Sequence, residues 1–496
     1  MRERVTYILR NPTGVFDPKQ LEVKKDSFAV DGLDAIKEHQ ITLGFQEITA
    51  EIWRVLRNCH ELHVRWSTAQ AYETVSPYVS RVTPGLHVSY TPLEGKSAKR
   101  LCTLIRQTFG QRIKCNDVTT AFTTPPILSE RFAAVAARQL YYYVPSLQDF
   151  SIYLQQTICG VDRISCRIRA HDLERADTLD IDYDAVSQSL IIKALWTTAT
   201  SQDDKWYETH LKGSDEHDTL EIGVLVNEVP DEEETIRFSG VLTRIGQDDK
   251  PAPTLFSTPS RHHPSKQSYT ASFRTPTGLH PTLQLSFPPL TPPSETCALH
   301  AYVTLPSTLF LDRYAFTDPL FLSSHHLAAM HALSGATDLE APEWTVETWG
   351  SAALFELAPP DNGSGFNATI PLHLRYLPPL NASTLLHPVA WPSVFWACTA
   401  EMGSKYSSSP FDRRDLGYDG LFGSNTRFEH LTPAAHAVST LNIPVLDVRR
   451  TSKVESGTSA VILIGTLWVC WVLMRGVWRG GVGGSGGIQG QKKKGQ

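Results

Sequence analysis

Hydrophobic and polar positions change their period several times along this chain, and each period predicts an element. Val5 to Leu9 predicts a strand. Ile48, Ile52, Val55 and Leu56 recur at the spacing of one helix face, and Glu61 to Trp66 alternates as a half-buried strand does. From Ser97 onward, Leu101, Leu104, Ile105 and Phe109 line one face of a helix; Phe132, Val135, Ala136 and Leu140 predict another over Ile127 to Tyr143. Val186 to Leu195 and Leu220 to Val226 read as strands, separated by a solvated acidic loop from Asp203 to Asp218. Pro, Ser and Thr then crowd 248–264 and 275–293, which predicts a linker or long edge loops, because proline removes a backbone donor. Short β-like runs recur beyond it: Leu283 to Phe287, Cys297 to Leu305, Trp344 to Leu357, Thr369 to Tyr376 and Val394 to Thr399.

The last patterned stretch has no polar face. Ser456 to Met474 carries no charge and, at ~1.5 Å per residue, measures ~28 Å, close to the ~30 Å hydrocarbon thickness of a bilayer. A spanning segment must satisfy its own backbone hydrogen bonds, so a helix is expected, with Trp468, Trp471 and Trp478 placed to sit toward one headgroup region. Arg475, Arg479 and Lys492 to Lys494 follow the span with no acidic residue, which makes the short tail the cytoplasmic end under the positive-inside rule. Lys493 and Lys494, two residues from the end, have the placement of a di-lysine signal for retrieval to the endoplasmic reticulum; a lysine cluster touching anionic lipid is the compatible simpler reading. The charged first ten residues carry no apolar core of a secretory signal. The rival topology is therefore a tail anchor with a cytosolic body.

The expected fold is an α+β N-terminal luminal domain (1–250), a linker or edge loops (251–293), and an all-β sandwich-like second luminal domain (294–400). An irregular juxtamembrane segment (401–455), one C-terminal transmembrane helix (456–474) and a basic, Gly-rich tail (475–496) complete it.

Composition narrows the chemistry. The 496 residues leave room for two or three cores, and a formal charge of −6 with scattered Lys and Arg supplies no basic face for nucleic acid. Of eight cysteines one, Cys470, lies in the span, and none has the spacing of a metal site. Three of the nine asparagines, Asn362, Asn367 and Asn381, begin glycosylation sequons within one short window, as a luminal body would allow. Asp180, Asp182 and Asp184 mimic the Asp-x-Asp of sugar-nucleotide transferases, but without a phosphate-binding loop they read as an exposed acidic turn. His262 and His263, and His325, His326 and His331, lack a carboxylate or Cys at ligand spacing and read as ordinary histidines. Gly483 to Gly487 matches G-x-S-x-G only formally, in a low-complexity tail. No catalytic, metal or cofactor set emerges.

Three blocks carry a resemblance. Glu295-Thr296-Cys297 opening a strand and running to Leu305 to Tyr314, then Ile370 to Pro379, then Pro392 to Cys398, are similar in order and spacing to the PIG-X family and its fungal branch, the protease-B-nonderepressible proteins. The likeness to animal members covers roughly 295–475; the longer N-terminal part, with Ser260-Arg261-His262-His263-Pro264, resembles fungal members alone. This resemblance implies a non-catalytic subunit of glycosylphosphatidylinositol mannosyltransferase I in the endoplasmic reticulum. Its implied partners are membrane lipid and a multi-span catalytic subunit of the PIG-M family, which takes the first mannose from dolichol-phosphate mannose. A wider part in folding of luminal proteins is implied as a second role. Cys297 and Cys398 border β-like runs inside these blocks, and a sandwich bringing the runs face to face predicts a disulfide between them. The reading from another class is a membrane-anchored luminal hydrolase or transferase.

Overall fold

The computed structural model describes all residues except 12–15, 127–136, 160–163, 214–216, 231–234, 247–250, 401–408, 410 and 481–496. The di-lysine pair Lys493 and Lys494 and most of the helix expected over Ile127 to Tyr143 lie outside the described residues. The described residues fall into two compact units, one within 1–377 and 386–443, the other within 378–385 and 444–480.

In the first unit, the strand Arg2–Leu9 lies inside a ten-stranded sheet, antiparallel to Ala35–Gly44 and parallel to Thr219–Glu228. Its alternation serves two cores: Val5, Tyr7 and Leu9 enter the main one, whereas Ile8 joins Ile36, Leu195, Leu225, Ile236 and Phe238 on the opposite face. On one side the sheet continues through Ser189–Trp196, Thr178–Asp184, Cys59–Ser67 and Gly85–Pro92 to Arg138–Tyr142, and on the other through Thr235–Arg244 to Ala252–Pro259. The helix Leu101–Phe109 buries Leu101, Cys102, Ile105 and Phe109, and Phe109 stacks on Phe150 at 5.0 Å.

Several sequence expectations are corrected here. Leu140 belongs to the strand Arg138–Tyr142, because pairing with Gly85–Pro92 overrides a helical spacing. The supposed loop Asp203 to Asp218 contains the strand Trp206–Leu211, anchored by the Trp206 indole donating to the Ala35 carbonyl at 2.8 Å. Its Glu208 turns inward to Lys37, at 2.9 Å, and accepts from the Tyr7 hydroxyl. Asp180, Asp182 and Asp184 lie on the strand Thr178–Asp184, and Asp180 is buried.

The expected linker is also strand. Ala252–Pro259 forms the edge of the ten-stranded sheet, where a proline costs no ladder bond. His262–Phe273 and Thr282–Phe287 enter a second, eight-stranded sheet, and Pro264 sits where the pairing of His262–Phe273 with Thr426–Pro433 shifts register. That sheet runs Leu327–Gly335, Gly350–Leu357, Cys297–Pro306, Ser393–Thr399, Thr426–Pro433, His262–Phe273, Thr282–Phe287 and Phe366–Pro371. It therefore draws on the segment before 294 and on the juxtamembrane segment expected to be irregular. Tyr302, Trp349, Leu354, Phe395 and Phe428 from this sheet region share one hydrophobic cluster with Val5, Trp66 and Leu140. Two sheets thus bury one core, and no self-contained sandwich forms within 294–400.

Cys297 and Cys398 are directly opposed on neighbouring antiparallel strands and joined by a disulfide, side by side in one sheet rather than face to face across two. Cys102–Cys115 and Cys159–Cys166 are also bonded; Cys59 is a buried free thiol and Cys470 an exposed one.

The second unit begins with Leu380 exchanging backbone hydrogen bonds with Leu446 and Val448, at 2.9 and 2.8 Å. Asp447 accepts from the Arg449 backbone N–H at 3.0 Å just before the 30-residue helix Thr451–Gly480, which is ~45 Å long. Val461 to Ile464 and Leu467 to Val469 are exposed, the arrangement of a helix whose apolar surface meets lipid. This one apolar helix suits a single-pass membrane protein.

Candidate interaction surface

The blocks Leu305 to Tyr314 and Ile370 to Pro379 meet in space. Leu309–Phe310 pairs antiparallel with His373–Leu374, and the Arg375 N–H donates to the Thr308 carbonyl at 2.9 Å. The Arg375 guanidinium is buried, 4.4 Å from the centre of the Phe310 ring, and donates to the carbonyls of Ala341 (2.7 Å) and Ala336 (3.3 Å). One cation therefore fastens three chain segments by using carbonyls that strand ladders leave over. Short strands could not hold that arrangement alone.

Four large side chains stay exposed on or near this frame. Tyr314 is 61% exposed, Leu320 81%, Trp344 58% and Tyr376 70%. Trp344 is held next to Tyr376, because the neighbouring Glu343 N–H donates to the Tyr376 carbonyl at 3.0 Å. Leu320 lies in the first turn of the short helix Pro319–Ser324, capped by Asp318. Beside this frame lies a cavity of about 450 Å³ with Tyr141, Tyr142, Tyr143 and Trp349 in its wall. Lys114 and Ser307 both contact Glu343 there, at 2.8 and 3.0 Å. Large aromatic side chains that remain in water while their backbone is fixed are suited to docking, since little ordering entropy remains to be lost on association.

The other polar clusters hold the fold. Arg65 is buried and bonds Asp182 at 2.6 Å and the Arg414 carbonyl at 2.8 Å, while Arg413 bonds Asp180 at 2.7 Å. His63 lies 2.7 Å from Asp182 and 3.1 Å from Asp415. Burial alone would raise the Asp182 pKa, but Arg65 and His63 hold it well below the usual carboxylate range. Burial likewise opposes the charge on His63; its bond to Asp182, with the nearby Glu61 and Asp415 carboxylates, overcomes that and lifts it to about 9. These carboxylates are engaged by fixed cations, so the Asp-x-Asp pattern is a structural ion-pair cluster and not the exposed acidic turn expected from sequence.

Ser260-Arg261-His262-His263-Pro264 has a comparable task. Arg261 donates to the carbonyls of Gly423 (2.8 Å) and Thr426 (3.1 Å), while the Ser260 hydroxyl and the Arg261 N–H both donate to Asp412. The segment from Asp412 to Gly423 is thereby pinned from the second sheet by Arg261 and from the first by Arg65 and Asp180. Sequence reasoning assigned no role of their own to Arg65, Arg261 and Arg375, because a lone arginine has no periodic or spacing signature. Asn362, Asn367 and Asn381 are all exposed, Asn367 on the edge strand Phe366–Pro371.

Comparison with known proteins bears on the same region. The family model described as PIG-X / PBN1 matches residues 276–474, which contain the disulfide, the Arg375 frame and most of the apolar helix. The chain is 46% identical to Protein pbn1 of Emericella nidulans over 95% of each chain. It is 41% identical to Protein pbn1 of Aspergillus oryzae over 97% of each. The Saccharomyces cerevisiae Protein PBN1 is 29% identical over 50% of this chain and 57% of its own. A likeness that runs through the N-terminal sheet as well as the three blocks makes this chain a member of the PIG-X / PBN1 family.

Proposed function

We propose that the chain is a non-catalytic subunit of glycosylphosphatidylinositol mannosyltransferase I, which holds the multi-span catalytic subunit of the PIG-M family in the endoplasmic-reticulum membrane. The observation that carries this reading is the exposed set Tyr314, Leu320, Trp344 and Tyr376 on a frame built from two family blocks. A lipid-linked mannose donor requires an active site at the membrane, and a single helix cannot enclose one. The chemistry falls to the partner, and this chain supplies packing.

The test is quantitative recovery of the partner. Trp344→Asp combined with Tyr376→Asp, both on exposed positions, should leave the level of this chain unchanged. The amount of multi-span subunit recovered with the tagged chain should fall several-fold, and anchor precursors should stop before the first mannose. A single Asp, His or Ser substitution that abolishes mannosyl transfer with the complex intact on native gels would instead show a catalytic subunit.

The proposal carries a topology: the body is luminal, the tail is cytoplasmic, Lys493 and Lys494 act in retrieval, and Asn362, Asn367 and Asn381 are glycan acceptors. Endoglycosidase should increase gel mobility, and replacing all three asparagines should abolish the shift. A body digested by protease added to sealed microsomes would establish the tail-anchored alternative.

A further inference from the structure

His331 and Glu356 are 25 residues apart, and His300 lies 31 residues before His331, so no sequence spacing joins them. The eight-stranded sheet does. Gly350–Leu357 lies between Cys297–Pro306 and Leu327–Gly335, and His300 is directly opposite Glu356 in the antiparallel register. On the other side, Met330 pairs with Phe355 and Ala332 with Leu354, so His331 is the extra residue of a bulge. A bulge re-aims a side chain, and here it turns His331 to within 2.6 Å of the Glu356 carboxylate. One ligand atom from each of the three residues lies within 4.8 Å of the other two, the one such group of His, Cys, Asp or Glu among the described residues.

We propose that His300, His331 and Glu356 form a zinc site. Two imidazoles and one carboxylate are a recurrent three-ligand set for zinc, with water as the fourth ligand. At ~2.0–2.1 Å from the metal, tetrahedral ligand atoms lie about 3.3 Å apart. The present cluster therefore needs the His331–Glu356 contact to open by about 0.7 Å and the His300 ring to close in by at most about 1.5 Å. His300 is prepared for this. Its Nδ1–H donates to the Ala298 carbonyl at 3.0 Å, which fixes the tautomer and leaves Nε2 with its lone pair free to ligate. Phe422 meets the same ring edge-on at 5.0 Å, and Phe395 lies parallel to it at 6.0 Å, restricting its rotation. The strand Leu327–Gly335 is a sheet edge, and the side chains of His331 and Glu356 are 40% and 30% exposed, which gives entry and room for the water. A simple His331–Glu356 ion pair would require neither the fixed tautomer nor the third residue.

The full-length chain, purified in detergent, stripped with EDTA and returned to zinc, should retain about one equivalent after desalting. Cobalt in place of zinc should give the visible bands of a four- or five-coordinate site. His331→Gln and Glu356→Gln, both at partly exposed positions that tolerate polar replacement, should lose the metal and the bands while keeping the near-ultraviolet circular dichroism of the parent. His325→Gln should bind as the parent does. Failure of the parent chain to retain zinc or to develop cobalt bands overturns the proposal. Retention of zinc by both variants at the parent's level overturns it equally, because the metal would then be held elsewhere.

Discussion

Acidification from pH 7 to pH 5 should lower the unfolding free energy of the body by about 4 kcal/mol, from His87 and His430 alone. Both imidazoles are buried. Burial pushes His87 down to about 4, and its Nε2–H donates to the Thr83 carbonyl at 2.7 Å. Burial, with Arg81 and Arg413 nearby, pushes His430 down to about 3. The His430 Nε2 is 2.9 Å from the His262 Nδ1, and burial lowers the His262 pKa as well. One N–H donated to one lone pair makes that bond between two neutral rings; a proton added at the accepting nitrogen would set two N–H groups against each other and bury a charge without water.

In the unfolded chain these groups take protons as the pH falls through ~6.5, whereas in the folded body they stay neutral down to about 4 or lower. The unfolded state then binds more protons, and stability is lost as the pH falls below ~6.5, about 2 kcal/mol for each of the two at pH 5. His63 has the opposite sign. Its folded value near 9 contributes stability fully present below ~6.5 and lost as the pH rises through 9. Urea unfolding followed by tryptophan fluorescence should therefore give its highest midpoint near pH 6.5–7, with a steep acid side and a shallower alkaline one. Equal midpoints at pH 5 and pH 7 would mean that these histidines are hydrated rather than buried.

Replacing Cys297 and Cys398 together by Ala should cost about 4–5 kcal/mol, more than loss of either other disulfide. The reason is loop length. The bond closes a loop of 101 residues, against 13 for Cys102–Cys115 and 7 for Cys159–Cys166. Loop-closure entropy assigns these about 4.7, about 3 and about 2.4 kcal/mol. The long loop also contains Leu309–Phe310, the helix Pro319–Ser324 and Arg375, which together build the proposed docking surface. The double variant should therefore lose partner binding at temperatures where the parent retains it. Peptide mapping without reduction should recover the peptides holding Cys297 and Cys398 as one linked species. Recovery of both as free thiols would refute the pairing.

Some of this molecule was decided locally and was legible in the chain. The apolar run Ser456 to Met474 needs no partner to declare itself, because its length and lack of charge match a bilayer, and it lies within the helix Thr451–Gly480. The periodicity of Leu101, Ile105 and Phe109 and the alternation of Glu61 to Trp66 were legible for the same reason: one buried face imposes its period on a short stretch. Tertiary context decided the rest. Pro264 is tolerated in a strand because the register shifts there, and Pro253 because Ala252–Pro259 has a neighbour on one side only. Asp180, Asp182 and Glu208 are admitted to strands because Arg65, Arg413 and Lys37 arrive from distant positions to pair with them. Whether Cys297 faces Cys398, or His300 faces Glu356, is set by strand register, and register is fixed by the packing of two whole sheets on one core. Chain-local patterns carry information about burial, whereas pairing between residues tens or hundreds of positions apart exists only once that common core has formed.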